Sequence, residues 1–105
     1  MKRAILVALP CLIYAGSAQA TDVVITQKDK AFDKSEIAAR VGDKLVFRNA
    51  DSTAHNVHSA SSDHRFDLGL QKPGDTATLP LDKDGTFLVR CAIHPKMKME
   101  VSVKK

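Results

Sequence analysis

No apolar run in the chain approaches the ~18 residues that a membrane-spanning helix requires, so no membrane anchor is expected. Charge of one sign is also scarce. The 16 basic residues stand against 12 acidic ones, for a formal net charge of +4. The sequence has no internal repeat, no linker and no low-complexity tract. At 105 residues it has room for one domain, which excludes a multidomain enzyme or a solenoid. Cysteine is rare too, with only Cys11 and Cys91 in the whole chain.

The first twenty residues have the composition of a secretory signal. Lys2 and Arg3 give a positive start, Ala4 to Ala15 is a short and nearly unbroken apolar run, and Ala18-Gln19-Ala20 supplies the small-x-small pattern of a cleavage site. Cys11 does not fit a lipid-bearing cysteine, because Pro10 stands where a small residue is needed. Residues 1–20 are therefore read as a signal peptide cleaved after Ala20, with export to the periplasm. Thr21 to Lys105 forms the mature domain. Losing Lys2 and Arg3 leaves 14 basic residues against 12 acidic, a net charge of +2. That is too mild to suggest nucleic acid as a partner.

Cleavage also leaves Cys91 as the single cysteine. One thiol makes no internal disulfide, and a free thiol in an oxidising compartment is a liability. Cys91 is then a buried inert residue, a metal-bound thiolate, a nucleophile or half of an intermolecular bridge, and its neighbours must decide.

Short alternating segments fill the mature chain. Strands are expected at Asp22–Gln27, at Lys44–Asn49 with Leu45, Phe47 and Asn49 on one face, at His55–His58 and at Phe66–Leu70. More follow at Thr76–Leu81, at Thr86–Cys91 with Phe87, Val89 and Cys91 on one face, and at Glu100–Val103 in register with Met99. Ser35–Val41 alternates with Ile37, Ala39 and Val41 together, although the apolar residues of Asp33–Arg40 fit a helical period equally well. Turns fall at Val41-Gly42-Asp43, Pro73-Gly74 and Asp82–Gly85. Short strands punctuated by Gly, Pro and Asp indicate an all-β fold, a single-domain Greek-key β-sandwich.

The segment Cys91-Ala-Ile-His94-Pro-Lys-Met97 gathers a thiol, an imidazole and a thioether within seven residues, and His55 lies on an earlier strand. Two histidines and a cysteine with a weak axial methionine make the ligand set of a blue copper site. Soft sulfur favours Cu(I), while imidazole suits both oxidation states. Alternation turns Cys91 inward with Val89 and Phe87, and Pro95 stiffens the loop that follows.

These residues resemble the cupredoxins, the type 1 blue copper family, nearest its amicyanin and plastocyanin-like bacterial members. Three stretches carry the likeness. Val46-Phe47-Arg48-Asn49 leads to His55-Asn56-Val57, Pro73-Gly74 follows, and Gly85-Thr86-Phe87 leads into Cys91-x-x-His94-Pro95-x-Met97. The chain differs from the family at Ala54, where proline is usual, and at Arg90, where an aromatic often stands. The resemblance implies a single copper ion, alternating between Cu(I) and Cu(II), held by His55, Cys91, His94 and Met97. It further implies a hydrogen bond from the Asn56 N–H to the Cys91 sulfur and bracing of the ligand loops by Asn49. It points to a soluble monomeric electron carrier rather than an enzyme, with a c-type cytochrome or a quinoprotein dehydrogenase as redox partners.

Competing readings assign these residues differently. Met99 shares a face with Val101 and Val103, which suits core packing and leaves Met97 as the axial candidate. A zinc site of one cysteine and three histidines would add His58, but residues three apart on a strand face opposite ways. His64 is expected to be solvated in a polar loop. A nucleophilic Cys91 activated by His94 lacks an oxyanion-hole motif, and a copper-carrying or storage protein would use similar ligands. Ala92, Ile93 and Pro95 make the His94 end apolar, with Lys72, Lys96 and Lys98 as a rim that steers a partner.

Overall fold

β-Branched and aromatic residues alternating with polar ones suit a pleated surface with one face buried, and the chain adopts strands wherever that pattern holds. In a computed structural model, residues 19–105 are described. The expected signal segment, Cys11 included, lies outside them except for Gln19 and Ala20. Among the described residues there is no helix. The strands are β1 (Asp22–Lys28), β2 (Ala31–Phe32), β3 (Glu36–Arg40), β4 (Lys44–Asn49), β5 (His55–Ser59), β6 (Phe66–Gln71), β7 (Thr76–Pro80), β8 (Gly85–Arg90) and β9 (Lys98–Lys104).

They form two facing sheets, one ordered β2-β1-β4-β7 and the other β3-β9-β8-β5-β6. Two of the pairings are parallel, β1 with β4 and β3 with β9, and the remainder are antiparallel. The inner faces bury Ile25, Leu45, Phe47, Val57, Phe87, Val89, Met99, Val101 and Val103. The all-β sandwich expected from the sequence is the observed architecture.

Three details differ from the sequence reading. Asp33–Arg40 is not helical: Glu36–Arg40 pairs with Glu100–Lys104 along β9, and the backbone bonds this offers decide between two equally good periods. Val41 does not share the inner face with Ile37 and Ala39. The strand ends at Arg40, and Val41 enters the Gly42 turn 40% exposed. The β1–β2 hairpin was not expected at all. Its tip, Asp29-Lys30, has φ of 53° and 58°. Primed hairpin turns of this kind usually announce themselves by glycine or asparagine, and neither is present here.

Candidate metal centre

Four chain segments meet at the end of the sandwich where β4 ends and β5 begins. His55 is the first residue of β5, opposite Gln71 of β6, and is fully buried. Cys91 follows the last residue of β8 and is 1% exposed, because the inward face of β8 runs Phe87, Val89, Cys91. His94 projects from the loop between β8 and β9, half-buried. That loop is short and tied to itself: the Met97 N–H bonds to the His94 carbonyl at 2.9 Å, and the Cys91 N–H to the Met97 carbonyl at 3.3 Å.

The donor atoms converge. His55 Nδ1 and His94 Nδ1 are 3.1 Å apart, and the Cys91 Sγ lies 4.0 Å from the first and 3.9 Å from the second. The two imidazoles cross at 65°. Ligand atoms of all three residues fall within 4.8 Å of one another. Their surroundings prepare them for a cation. Asp51 Oδ2 accepts a hydrogen bond from His55 Nε2 at 2.9 Å, so the ring proton is on the outer nitrogen and the Nδ1 lone pair faces Cys91 and His94. The same Oδ2 accepts the Lys30 N–H at 2.8 Å. Those two donors, the Lys30 amide foremost, hold the Asp51 carboxyl well below the usual carboxylate range, so it remains ionised and oriented. Two nitrogens and a sulfur with lone pairs aimed into one small buried space form a donor set that fits a soft to borderline metal ion.

A network of amides fixes the frame. The Asn56 N–H donates to Cys91 Sγ at 3.3 Å, as the family resemblance implied. The Asn56 side chain gives its Nδ2 hydrogens to Asp67 Oδ1 and the Gly69 carbonyl, and its Oδ1 accepts from His58 Nδ1 at 2.9 Å and from the Ala92 N–H at 3.2 Å. Asn49 braces three segments: Nδ2 donates to the carbonyls of Thr53 and Gln71, and Oδ1 accepts the Asp51 N–H.

Of the sequence candidates, His55, Cys91 and His94 are brought together. Met97 is buried at 1% exposure in the core beside this cluster and closes the loop that carries His94. Met99 is inward on β9 opposite Val89, a core residue as expected. His58 does not join the donor set, but it is not a bare surface residue either: half-buried, it donates to the side-chain oxygen of Asn56, the residue whose backbone N–H contacts the cysteine sulfur. His64 is not simply solvated. Its ring stacks on Phe87 at 4.6 Å and 14°, and its Nε2 donates to the Lys83 carbonyl. Gly85 makes room for it, since a Cβ there would stand 2.7 Å from the ring. The sequence reading missed Asp51, treated only as loop. Its signal was an acidic residue four positions before a candidate ligand histidine.

The family model described as a cupredoxin-like domain matches residues 3–103. The methylamine utilization protein MauL of Methylorubrum extorquens is 32% identical over 91 residues, 86% of this chain and 80% of that protein. Plastocyanin of Ginkgo biloba is 33% identical over 81 residues, 66% of this chain and 81% of that protein. Among solved structures, the Cu(I) form of a single-residue mutant of amicyanin superposes with a TM-score of 0.73 at 23% identity, covering 83% of this chain and 85% of that one.

Proposed function

Because the chain belongs to the cupredoxin-like family, we propose that His55, Cys91, His94 and Met97 hold one copper ion with which it passes single electrons between redox partners. It is a type 1 blue copper protein. The observation that carries this reading is the convergence of Cys91 Sγ, His55 Nδ1 and His94 Nδ1 in a buried pocket that the Asn56 N–H and the Asp51 carboxylate already hold in position. Copper supplies the one-electron couple, alternating between Cu(I) and Cu(II).

The residues around it keep rearrangement small. Asp51 locks the tautomer and tilt of His55. The Asn56 N–H takes up part of the negative charge on the thiolate and so tunes its donor strength. Asn49 ties the end of β4 to the Thr53 and Gln71 carbonyls, so the loop before His55 and the strand beside it move as one piece. A donor set that is already in position changes little when the charge at its centre changes by one.

Transfer occurs through His94, whose ring is the half-buried one. Ile93, 47% exposed, and Pro95 flank it, and Lys30 and Lys96 line the same surface. An apolar centre with a charged rim suits a transient interface, and the rim's sign calls for an acidic partner surface. A c-type cytochrome or a quinoprotein dehydrogenase fits that role. The chain is exported to the periplasm after cleavage behind Ala20 and works as a monomeric carrier rather than as an enzyme.

The visible spectrum of copper-loaded, oxidised protein tests the assignment. An intense blue band is expected from thiolate-to-copper charge transfer. A colourless protein that carries stoichiometric zinc from its native host would overturn it. With a partner in hand, Ile93→Glu should slow electron transfer greatly without changing the spectrum. Lys96→Glu should weaken association mainly at low salt, since rim charges are screened as ionic strength rises.

A further inference from the structure

The end of the sandwich away from Cys91 buries a carboxylate that has no ion-pair contact. Asp43, in the turn between β3 and β4, is 9% exposed. Its Oδ2 accepts the Arg40 N–H at 2.9 Å and its Oδ1 accepts the Thr21 N–H at 2.9 Å. Those bonds, Arg40's first and Thr21's next, hold its carboxyl below the usual carboxylate range, so it is ionised at neutral pH. Among the described residues, no lysine, arginine or histidine side chain stands within ion-pair distance of it. The Arg40 charge, beyond ion-pair distance, lowers the carboxyl a little further, but the donors that touch it are neutral N–H groups, and a carboxylate so placed is an unfavourable group to take out of water.

Thr21 is also the residue that follows the proposed cleavage point. Its carbonyl accepts the Lys44 N–H at 3.0 Å, and Asp22 beside it pairs with Lys44 in the β1–β4 ladder. Thr21 is therefore fastened to β4 whether or not chain precedes it. Gln19 and Ala20 are exposed and belong to no strand. Hydrolysis by a signal peptidase breaks the bond between the Ala20 carbonyl carbon and the Thr21 nitrogen. Water gives its hydroxyl to the carbonyl and a hydrogen to the nitrogen, which takes a further proton from solvent at neutral pH.

We propose that Asp43 is a preformed seat for the α-ammonium group of Thr21, so that processing replaces a neutral amide donor on this carboxylate by a cationic one, an ion pair that clamps the start of β1 to the β3–β4 turn. The proposal rests on cleavage after Ala20. It makes processing a stabilising event for the fold, separate from metal loading at the opposite end. The bond already has an ionised acceptor; an ionised donor adds the attraction of opposite charges at contact distance, and the receiving carboxylate needs no reorganisation.

The sign of the pH dependence follows. A carboxylate beside the α-ammonium raises its folded-state pKa above the ordinary value of about 7.7–8.0. The extra stability is present in full below about pH 7.7, the unfolded value, and is lost as pH rises through the higher folded value. Other charges line the surface around the pair, Arg40 at the end of β3 and Lys104 and Lys105 at the chain's end, and Asp22, Lys44 and Asp82 are exposed charges next in sequence to the residues that hold it. All are common to the chains compared, so differences between those chains report on the Thr21 nitrogen.

The experiment compares the exported, processed protein with a chain that retains Ala20 and with Asp43→Asn, each in its apo and copper-loaded forms. The N-terminus is read by mass spectrometry, the α-amino pKa by NMR titration, and the melting temperature from pH 7 to 10. In the processed chain the α-amino group should titrate about one unit or more above its ordinary value. Its melting temperature should fall more steeply with pH than that of the Ala20-retaining chain, and Asp43→Asn should remove both differences. A chain that starts at Thr21 with an ordinary α-amino pKa overturns the proposal and leaves the cleavage reading intact. An exported protein that begins at any other residue overturns both, while the blue spectrum stands or falls separately.

Discussion

The two ends of the β1–β4 pair bury opposite kinds of side chain. Towards Lys44 the core is apolar: Leu45, Leu81, Phe87, Val101 and Val103 pack against one another. Towards Asn49 the buried positions become amide and imidazole: Gln27, Asn49, His55, Asn56 and Gln71. Gln27 Nε2 donates to Gln71 Oε1 at 2.8 Å, and Gln71 Nε2 donates to the Phe47 carbonyl at 3.2 Å. Gln27 Oε1 is left without a partner, but the bonds the network does make are directional and restrict how these side chains can sit. The apolar end holds the fold together, and the polar end holds three ligand atoms still.

That division can be broken from either side. Cys91→Ser gives the largest change expected. The intense visible band should vanish while circular dichroism retains the sandwich, since the apolar half is intact. A surviving blue band would remove Cys91 from the ligand set. On the other side, Leu45→Ala should lower stability in denaturant unfolding by about 2–5 kcal/mol. The spectrum of the copper form should not move, and a shifted band would show that the two halves are not separable.

Asp51→Asn probes the polar half without touching a ligand. Competition against a chelator should show copper binding weakened by about 10–100-fold, the usual effect of losing a ligand's orienting partner. Unchanged affinity would mean that His55 holds its tautomer without help. The smallest pair of effects separates the methionines. Met97→Gln should keep copper and shift the reduction potential, because a weak axial ligand tunes a site without holding it. Met99→Leu should leave the potential alone and alter stability by less than about 1.5 kcal/mol. The reverse result in voltammetry would exchange their roles.

The apolar half was legible in the sequence because alternation is a strong signal wherever one face is buried. Leu45, Phe47, Phe87 and Val89 all point where their spacing says. The converging donors were legible too, since Cys91 and His94 are three residues apart and chemically unusual together. What the sequence concealed is the support. Asp51 is as ordinary a loop residue as any until a hairpin tip without glycine brings the Lys30 amide to it. His58 read as an outward residue on its strand and His64 as a polar loop residue, but His58 bonds an Asn56 side chain that also takes the Ala92 N–H, and His64 stacks on Phe87. Local patterns carry no record of such meetings.

The order of the five-stranded sheet bears on when the site is assembled. β9 is the last strand of the chain, yet it lies between β3 and β8, and Met97, just before it, closes the loop around His94. Pairings between distant segments are slow to form. Until the C-terminal residues are available, the chain lacks the strand that joins β3 to β8. The loop around His94 is tied off by Met97 only when that strand has docked, so the pocket is among the last parts of the sandwich to close, and a metal ion meets a complete donor set only in the finished fold.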